Sequence, residues 1–161
     1  MKRKYIGAAI ATLLAMSNIF SQSFFSRVIE QADIVPKTYG EICCSDFFLM
    51  STNAITENGE LVNIDGASNR LACLLHGPKN VFVIVGMNKL TSDVPAAIGR
   101  IRNVACPANT LRLNRNTPCA LTGKCGNCFS QDSICSQIVV TRRSSQPKRI
   151  KVILVAEHLG Y

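Results

Sequence analysis

The run Val81–Val85 limits what this chain can fold into more than any other feature of the sequence. All five residues are apolar and four of them are β-branched, a composition that favours a strand. An unbroken apolar strand is typical of a parallel sheet that is covered on both faces, because an exposed face would show alternating polar residues. The run therefore predicts an α/β domain with a parallel sheet at its centre.

Strands and helices alternate on both sides of this run. Gly77-Pro78 ends the helix before it, and Ser92 begins the helix after it, with Pro95 in the first turn. Asn58-Gly59 supplies the positive φ angles of a tight turn and so predicts a hairpin. The predicted strands are residues 47–50, 54–56, 61–64, 81–85, 138–141 and 150–155, and the predicted helices run from 68 to 76 and from 92 to 105. The expected fold class is α/β, with a mostly parallel sheet and flanking helices.

The first 40 residues differ in character from the rest. Residues 1–4 are basic and 6–16 apolar, as at the start of a signal peptide, but no small-residue cleavage site follows. A short helix that packs on the domain is the alternative, and residues 23–33 have helical spacing. The chain is therefore divided into an N-terminal helical segment, 1–40, and an α/β domain, 41–161, that contains a Cys-rich loop at 119–135. The α/β body favours a cytoplasmic location over export.

The net charge is +8 over 161 residues, which suits an anionic partner and equally suits a basic solvated surface. Aromatic residues are not interleaved with the basic stretches, although a surface that stacks single-stranded bases would need them. Nucleic acid is therefore not expected as a partner. No apolar run is long enough to predict a membrane span with assurance.

The segment Ser51–Arg70 is rich in Asn, Asp and Gly, and it joins a strand to a helix. In open α/β sheets ligands lie beyond the carboxyl ends of strands, and a helix N-terminus offers free backbone N–H groups to an anion. The predicted ligand is a small anionic metabolite. The alternative is that two adjacent tight turns need the same residue types. The predicted ligand-binding residues are Asn53, Asn63, Asp65, Gly66, Ser68, Asn69 and Arg70.

Four of the eight cysteines lie in a loop rich in Gly, Asn and Ser. Cys125 and Cys128 form a C-x-x-C pair, which lets two thiolates bind one metal ion. Zinc and iron–sulfur clusters both take four such ligands, so either is predicted as the cofactor. Free thiols are one alternative, and disulfides are another if the protein is exported. The predicted metal ligands are Cys119, Cys125, Cys128 and Cys135.

The other cysteines and His76 are assigned structural roles. Cys43, Cys44 and Cys73 accompany apolar segments and are expected to be buried as small hydrophobic residues. Cys106 is close enough to the loop to approach it in space, but it is not counted among the ligands. His76 is expected to cap the C-terminus of its helix, where a cation is favoured.

Several segments of the chain resemble the LUD domain of lactate-utilization proteins. They are NAITENGELVNIDGASNR and GPKNVFVIVGMNK within 46–89, and RIRNVACPAN, TPCALTGKCGNC and IKVILVAEHLGY further on. The resemblance covers 46–161 and implies a fold similar to ribose-5-phosphate isomerase and the CoA transferases. It also implies a role in lactate or organic-acid utilization beside iron–sulfur partner proteins.

The resemblance also implies a missing part. Family members carry a longer N-terminal α/β portion with a Gly-rich turn, and residues 1–44 contain no such turn. The chain is therefore expected to be the C-terminal part of such a domain, an incomplete fold that serves as an accessory protein or a partial copy.

A wider similarity to methylthioribose-1-phosphate isomerases bears on catalysis. Asn53 falls where their catalytic Asp stands, Asn63 matches their Asn, and Gly66 with Ala67 falls near their phosphate-holding Gly-Thr. An amide cannot transfer a proton as a carboxylate does, so isomerase chemistry is in doubt and no catalytic residue is assigned. The alternatives that remain are a sugar-phosphate isomerase or CoA-transferase-like enzyme, and a basic metal-loop module that binds nucleic acid.

Overall fold

The computed structural model describes residues 39–161, which form a mixed α/β arrangement with two sheets. The helices are α1 (Tyr39–Cys43), α2 (Asn69–Leu75), α3 (Val94–Arg100), α4 (Cys106–Arg112) and α5 (Pro118–Thr122). The strands are β1 (Phe47–Met50), β2 (Ala54–Thr56), β3 (Leu61–Asp65), β4 (Asn80–Gly86), β5 (Leu90–Thr91), β6 (Gln137–Thr141) and β7 (Ile150–Val155). The signal-like start at 1–16 and the predicted helix at 23–33 lie outside the described residues.

The first sheet is parallel and has β4 at its centre, between β1 and β7. Val81, Val83 and Val85 are buried on one face of β4, whereas Phe82 and Ile84 on the other face are half-buried. The β-branched composition of this run therefore produced the predicted strand, and the α/β class is confirmed. The second face of β4 is only partly covered by the described residues.

The second sheet has the order β5–β2–β3–β6 and is mainly antiparallel. The predicted hairpin of β2 and β3 is confirmed, but only Gly59 of the Asn58-Gly59 pair has a positive φ, at 82°. Strand β6 pairs antiparallel with β3 after the long loop that follows α5. The alternation of elements along the chain did not predict this sheet, because antiparallel pairing of β3 with β6 is a long-range contact.

Two apolar clusters hold the sheets and helices together. One packs the buried face of β4 against Leu71 and Leu74 of α2. The other packs Val62 and Ile64 of β3 against the helical segment at 94–112, which contributes Ala97, Ile101, Ala105 and Cys106. Each cluster thus fixes one helix over the strands whose ends form the site described below.

The helical segment at 94–112 differs from its prediction at both ends. Asp93 rather than Ser92 is the N-cap, and its Oδ1 accepts a hydrogen bond from the N–H of Ala96 at 2.8 Å. The segment also continues beyond residue 105, because residues 101–105 adopt the wider winding of a π-helix before Pro107. A proline lacks the N–H that an α-helix needs and its ring collides with the preceding turn, and the wider winding accommodates both.

The C-terminus of α2 is capped by a residue that lies far away in the sequence. Arg149 is only 5% exposed, and its guanidinium donates to the carbonyl oxygens of Cys73 at 2.8 Å, Leu74 at 2.6 Å and Pro78 at 2.9 Å. His76, which the sequence predicted to cap this helix, is its C-cap residue, and its backbone N–H donates to the carbonyl of Ala72 at 2.8 Å, but its side chain is exposed. The cation that the helix end favours is therefore supplied by the residue just before β7. Within 39–161, no helix has both the length and the apolar character that crossing a membrane requires.

Candidate anion-binding site

Asn53 and Asn63 meet at the junction between β1 and the β2–β3 hairpin. The backbone N–H of Asn53 donates to Oδ1 of Asn63 at 3.2 Å, and Oδ1 of Asn53 accepts from the N–H of Ile64 at 3.0 Å. Asn63 is fully buried, and its side-chain nitrogen has no hydrogen-bond partner within the described chain. The two amides are thus held in a fixed arrangement that leaves one buried donor unused.

The backbone donors before α2 are already occupied by the chain itself. Oδ1 of Asp65 accepts from the N–H groups of Ala67 at 3.2 Å and Ser68 at 3.0 Å, and Oδ1 of Asn69 accepts from the N–H of Arg70. A side chain on Gly66 would lie 3.2 Å from the Cα of Ile134, so this glycine allows a close approach of two backbones. Turn geometry therefore accounts for the glycine and for these backbone donors.

Arg70 extends from α2 across the junction and connects its parts. Its Nε donates to Oδ2 of Asp65 at 3.1 Å, one terminal nitrogen to the carbonyl of Ser51 at 3.2 Å, and the other to Oδ1 of Asn53 at 3.1 Å. Of the predicted site residues, the structure therefore brings Asn53, Asn63, Asp65 and Arg70 to one place. The ion pair with Asp65 fixes the direction of the guanidinium plane.

Two cations that the sequence did not predict complete this cluster. Lys89 is only 7% exposed, and its Nζ donates to Oγ of Ser51 at 3.1 Å. Arg100 of α3 donates to the carbonyl oxygens of Asn53 and Asn88, both at 2.9 Å. Lys89 lies three residues after the end of β4. Its place beyond the carboxyl end of the predicted central strand was the signal that could have identified it. We call Arg70, Lys89 and Arg100 the cation cluster.

The cation cluster has more positive charge than its surroundings neutralise. Burial, and then the charges of Arg100 and Arg70, together lower the pKa of Lys89 from its ordinary value of 10.5 to about 8. Burial also lowers the pKa of Arg100. Among the residues described, the only ion pair that the cluster makes is the one between Arg70 and Asp65. An excess of positive charge on one buried and two partly buried cations is an arrangement suited to binding an anion.

The predicted metal ligands are not gathered around one point. Cys119 is buried with its sulfur 3.5 Å from Oγ1 of Thr110 and 3.3 Å from Oγ1 of Thr117, while Cys125 and Cys128 are half-buried. In the part of the chain that the structure describes, no three His, Cys, Asp or Glu side chains are placed to hold a metal ion. A zinc or iron–sulfur centre at these cysteines therefore stays a prediction.

The sulfur that does lie beside Cys135 belongs to Cys106, at 3.4 Å. The pKa of Cys135 is lowered to about 7, chiefly by its hydrogen bond with Cys106, and the same contact raises the pKa of Cys106. A second pair forms between Cys43 and Cys73, whose sulfurs are 3.7 Å apart. Cys73 is buried as expected, whereas the expectation for Cys44 is wrong, because its side chain is exposed.

Comparison with known protein families gives one match. The sequence model of the LUD domain matches residues 19–155, more than four fifths of the chain, and this range contains the cation cluster, both asparagines and the Cys-rich loop. The match begins before residue 46, where the resemblance in the sequence starts. Neither a curated protein nor a solved structure matches the chain.

Proposed function

Because this chain belongs to the LUD-domain family, we propose that it is an accessory protein of lactate or related organic-acid utilization that binds a small organic anion. Membership of the family links it to lactate utilization in general. The observation that carries the finer proposal is Lys89, a buried lysine next to two arginines that has no carboxylate partner among the described residues.

The energy of burial explains why an anion belongs there. A charged ammonium group loses its hydration when it is buried, and this cost is offset only by hydrogen bonds and by an opposite charge. The hydroxyl of Ser51 supplies one hydrogen bond to Lys89 but no charge. A carboxylate bound between Lys89 and Arg70 would supply the charge, and the unused amide of Asn63 would donate to an oxygen of the same ligand.

The contacts at this cluster are better suited to binding a carboxylate than to acid–base catalysis. The position that an isomerase fills with a carboxylate is held here by Asn53, and Oδ1 of its amide already accepts from Ile64 and Arg70. Among the residues that the structure describes, Asp65 is the carboxylate at the site, and it is committed to Arg70 and to two backbone N–H groups. These contacts support binding over proton transfer. The setting that we propose is the cytoplasm, with iron–sulfur proteins of organic-acid oxidation as partners by analogy with the family.

The test is thermal unfolding of the purified full chain with lactate, pyruvate or phosphate added at constant ionic strength, and with chloride as the reference. A ligand present at 100 times its Kd stabilises the folded state by about 2.7 kcal/mol, which is readily measured as a rise in Tm. We expect such a rise with lactate or pyruvate, and none in the Lys89→Met variant, which keeps the length of the side chain and removes its charge.

The matched control is Lys79→Met, because Lys79 is an exposed lysine elsewhere on the chain. This variant should respond to lactate as the unaltered protein does. Equal responses of the Lys89→Met variant and the unaltered protein would refute binding at this site. A response to phosphate alone would replace the organic acid by a phosphate as the ligand.

A further inference from the structure

Cys106 and Cys135 are the two cysteines whose sulfur atoms lie nearest to each other in the described chain, at 3.4 Å. Cys106 begins α4 and is buried, whereas Cys135 is exposed in the loop two residues before β6. Cys135 is therefore accessible to a small oxidant in solvent, and the buried sulfur of Cys106 is in contact with its sulfur.

We propose that Cys106 and Cys135 are a reversible oxidation site that takes up a peroxide and closes to a disulfide. This site is separate from the cation cluster and does not depend on the proposed anion ligand. What carries the proposal is the sulfur contact together with the difference in exposure between the two side chains.

The reaction consumes one peroxide for each pair. The sulfur of Cys135, after loss of its proton to solvent, attacks the O–O bond of hydrogen peroxide, so that an S–O bond forms and hydroxide leaves. The sulfur of Cys106, its proton also lost, then attacks the sulfenic sulfur of Cys135, the S–O bond breaks, and the oxygen leaves as water. Two electrons pass from the thiol pair to the peroxide, and an added dithiol returns them when it reduces the disulfide.

The backbone around Cys135 is held by regular secondary structure on one side only, although Ile134 on the other side packs closely against the backbone at Gly66. Beyond it, the N–H of Ser136 donates to the carbonyl of Asp65 at 3.0 Å and β6 begins. Before it, the loop from residue 123 to 134 contains no helix or strand. A disulfide needs its sulfurs about 2.05 Å apart, so the pair must approach further, and an irregular loop allows that movement more readily than a strand does.

The pair of Cys43 and Cys73 provides an internal comparison. Its sulfurs are 3.7 Å apart, but Cys43 is half-buried and Cys73 is buried, so neither side chain is as exposed to solvent as that of Cys135. At a low peroxide concentration we therefore expect the bond between Cys106 and Cys135 to form first.

The experiment is peptide mapping of the full chain after reduction, treatment with a chelator, and exposure to hydrogen peroxide in equimolar amount. Trypsin cleaves after Arg102, Arg112, Lys124 and Arg142, which places Cys106 in the peptide 103–112 and Cys135 in the peptide 125–142. We expect these two peptides to be joined by a disulfide, which fragmentation assigns to Cys135, and to separate again on treatment with dithiothreitol.

Three variants sharpen the result. Cys135→Ser should abolish the joined peptides, and Cys106→Ser should leave Cys135 as a sulfenic acid that a cyclic dione traps. Cys128→Ser is the matched control and should leave the joined peptides unchanged, since Cys128 is in the same loop without a sulfur contact. Circular dichroism shows whether each variant is folded, and the peptide map of the unaltered protein decides the question if a variant is not.

Four outcomes would overturn the proposal. They are a disulfide from Cys135 to Cys125 or Cys128, oxidation of Cys135 without any disulfide, a bond between Cys43 and Cys73 that forms first, and tightly bound zinc or iron, found by elemental analysis before the chelator is added, that protects Cys135 from peroxide.

Discussion

The side-chain amide of Asn63 is used on one side only. Its oxygen accepts from the N–H of Asn53, while its nitrogen has no partner among the described residues. An unpaired buried donor costs about 1–3 kcal/mol, and natural proteins seldom keep such a group without a role. A ligand oxygen at this position would remove that cost. The sequence singled out Asn63 because polar residues are concentrated in the segment 51–70, and its role in binding stays a prediction.

Asn63→Ala should lower the free energy of unfolding by at most about 1–2 kcal/mol, since the N–H of Asn53 loses its acceptor and a small cavity forms while the cost of the unpaired amide nitrogen is removed. It should also weaken the rise in Tm that lactate produces. Thermal unfolding with and without lactate measures both effects. Asn58→Ala in the exposed hairpin turn is the control and should alter neither. An undiminished lactate response in Asn63→Ala would show that this amide does not contact the ligand.

At the scale of the elements, local composition was sufficient to predict the strands but not to predict the contacts between them. β4 and β7 follow from β-branched runs, because strand preference is largely a property of neighbouring residues. Lys89 and Arg100 were missed because they meet Ser51 and Asn53 only after β1 and β4 pair in parallel. The same reason applies to Arg149, which reaches α2 only when β7 lies beside β4.

Arg149 should stabilise the C-terminal end of α2 more than any local residue does. Arg149→Met should lower the free energy of unfolding by about 2–4 kcal/mol, because three carbonyl oxygens lose a charged donor in a buried place. Denaturant unfolding measures the loss. Arg143→Met removes an exposed arginine close in sequence and should change stability by less than about 0.5 kcal/mol. Equal effects of the two substitutions would mean that Arg149 does not cap the helix.

At the scale of the whole molecule, the cation cluster lowers stability to create a site. Lys89 is buried at the end of the turn between β4 and β5, where a neutral side chain would fold at lower cost. Proteins accept such local costs at functional positions and offset them elsewhere in the fold. The burial of β4 and the cap by Arg149 provide that offset here. The cost itself has a measurable signature in the pH dependence of folding.

Lys89 should make the stability of the protein rise with pH between about 8 and 10.5. Burial, and then repulsion from Arg100 and Arg70, lowers its pKa to about 8 in the folded state, against 10.5 for the ordinary group. Between these values the unfolded chain holds a proton on Lys89 that the folded chain has released, so stability increases with pH. The cost is fully present below pH 8 and on the order of 3 kcal/mol.

Lys89→Met should therefore be more stable than the unaltered protein at pH 7, and this advantage should shrink as the pH approaches 10. The difference between the two proteins is the quantity to measure, by denaturant unfolding at several pH values, because other lysines, tyrosines and cysteines titrate in the same range and cancel in the subtraction. Adding lactate at pH 7 should reduce the advantage of Lys89→Met, since a bound anion offsets the buried charge. Parallel pH profiles of the two proteins would mean that Lys89 is hydrated in solution, and the cation cluster would then have no unmatched charge to offer a ligand.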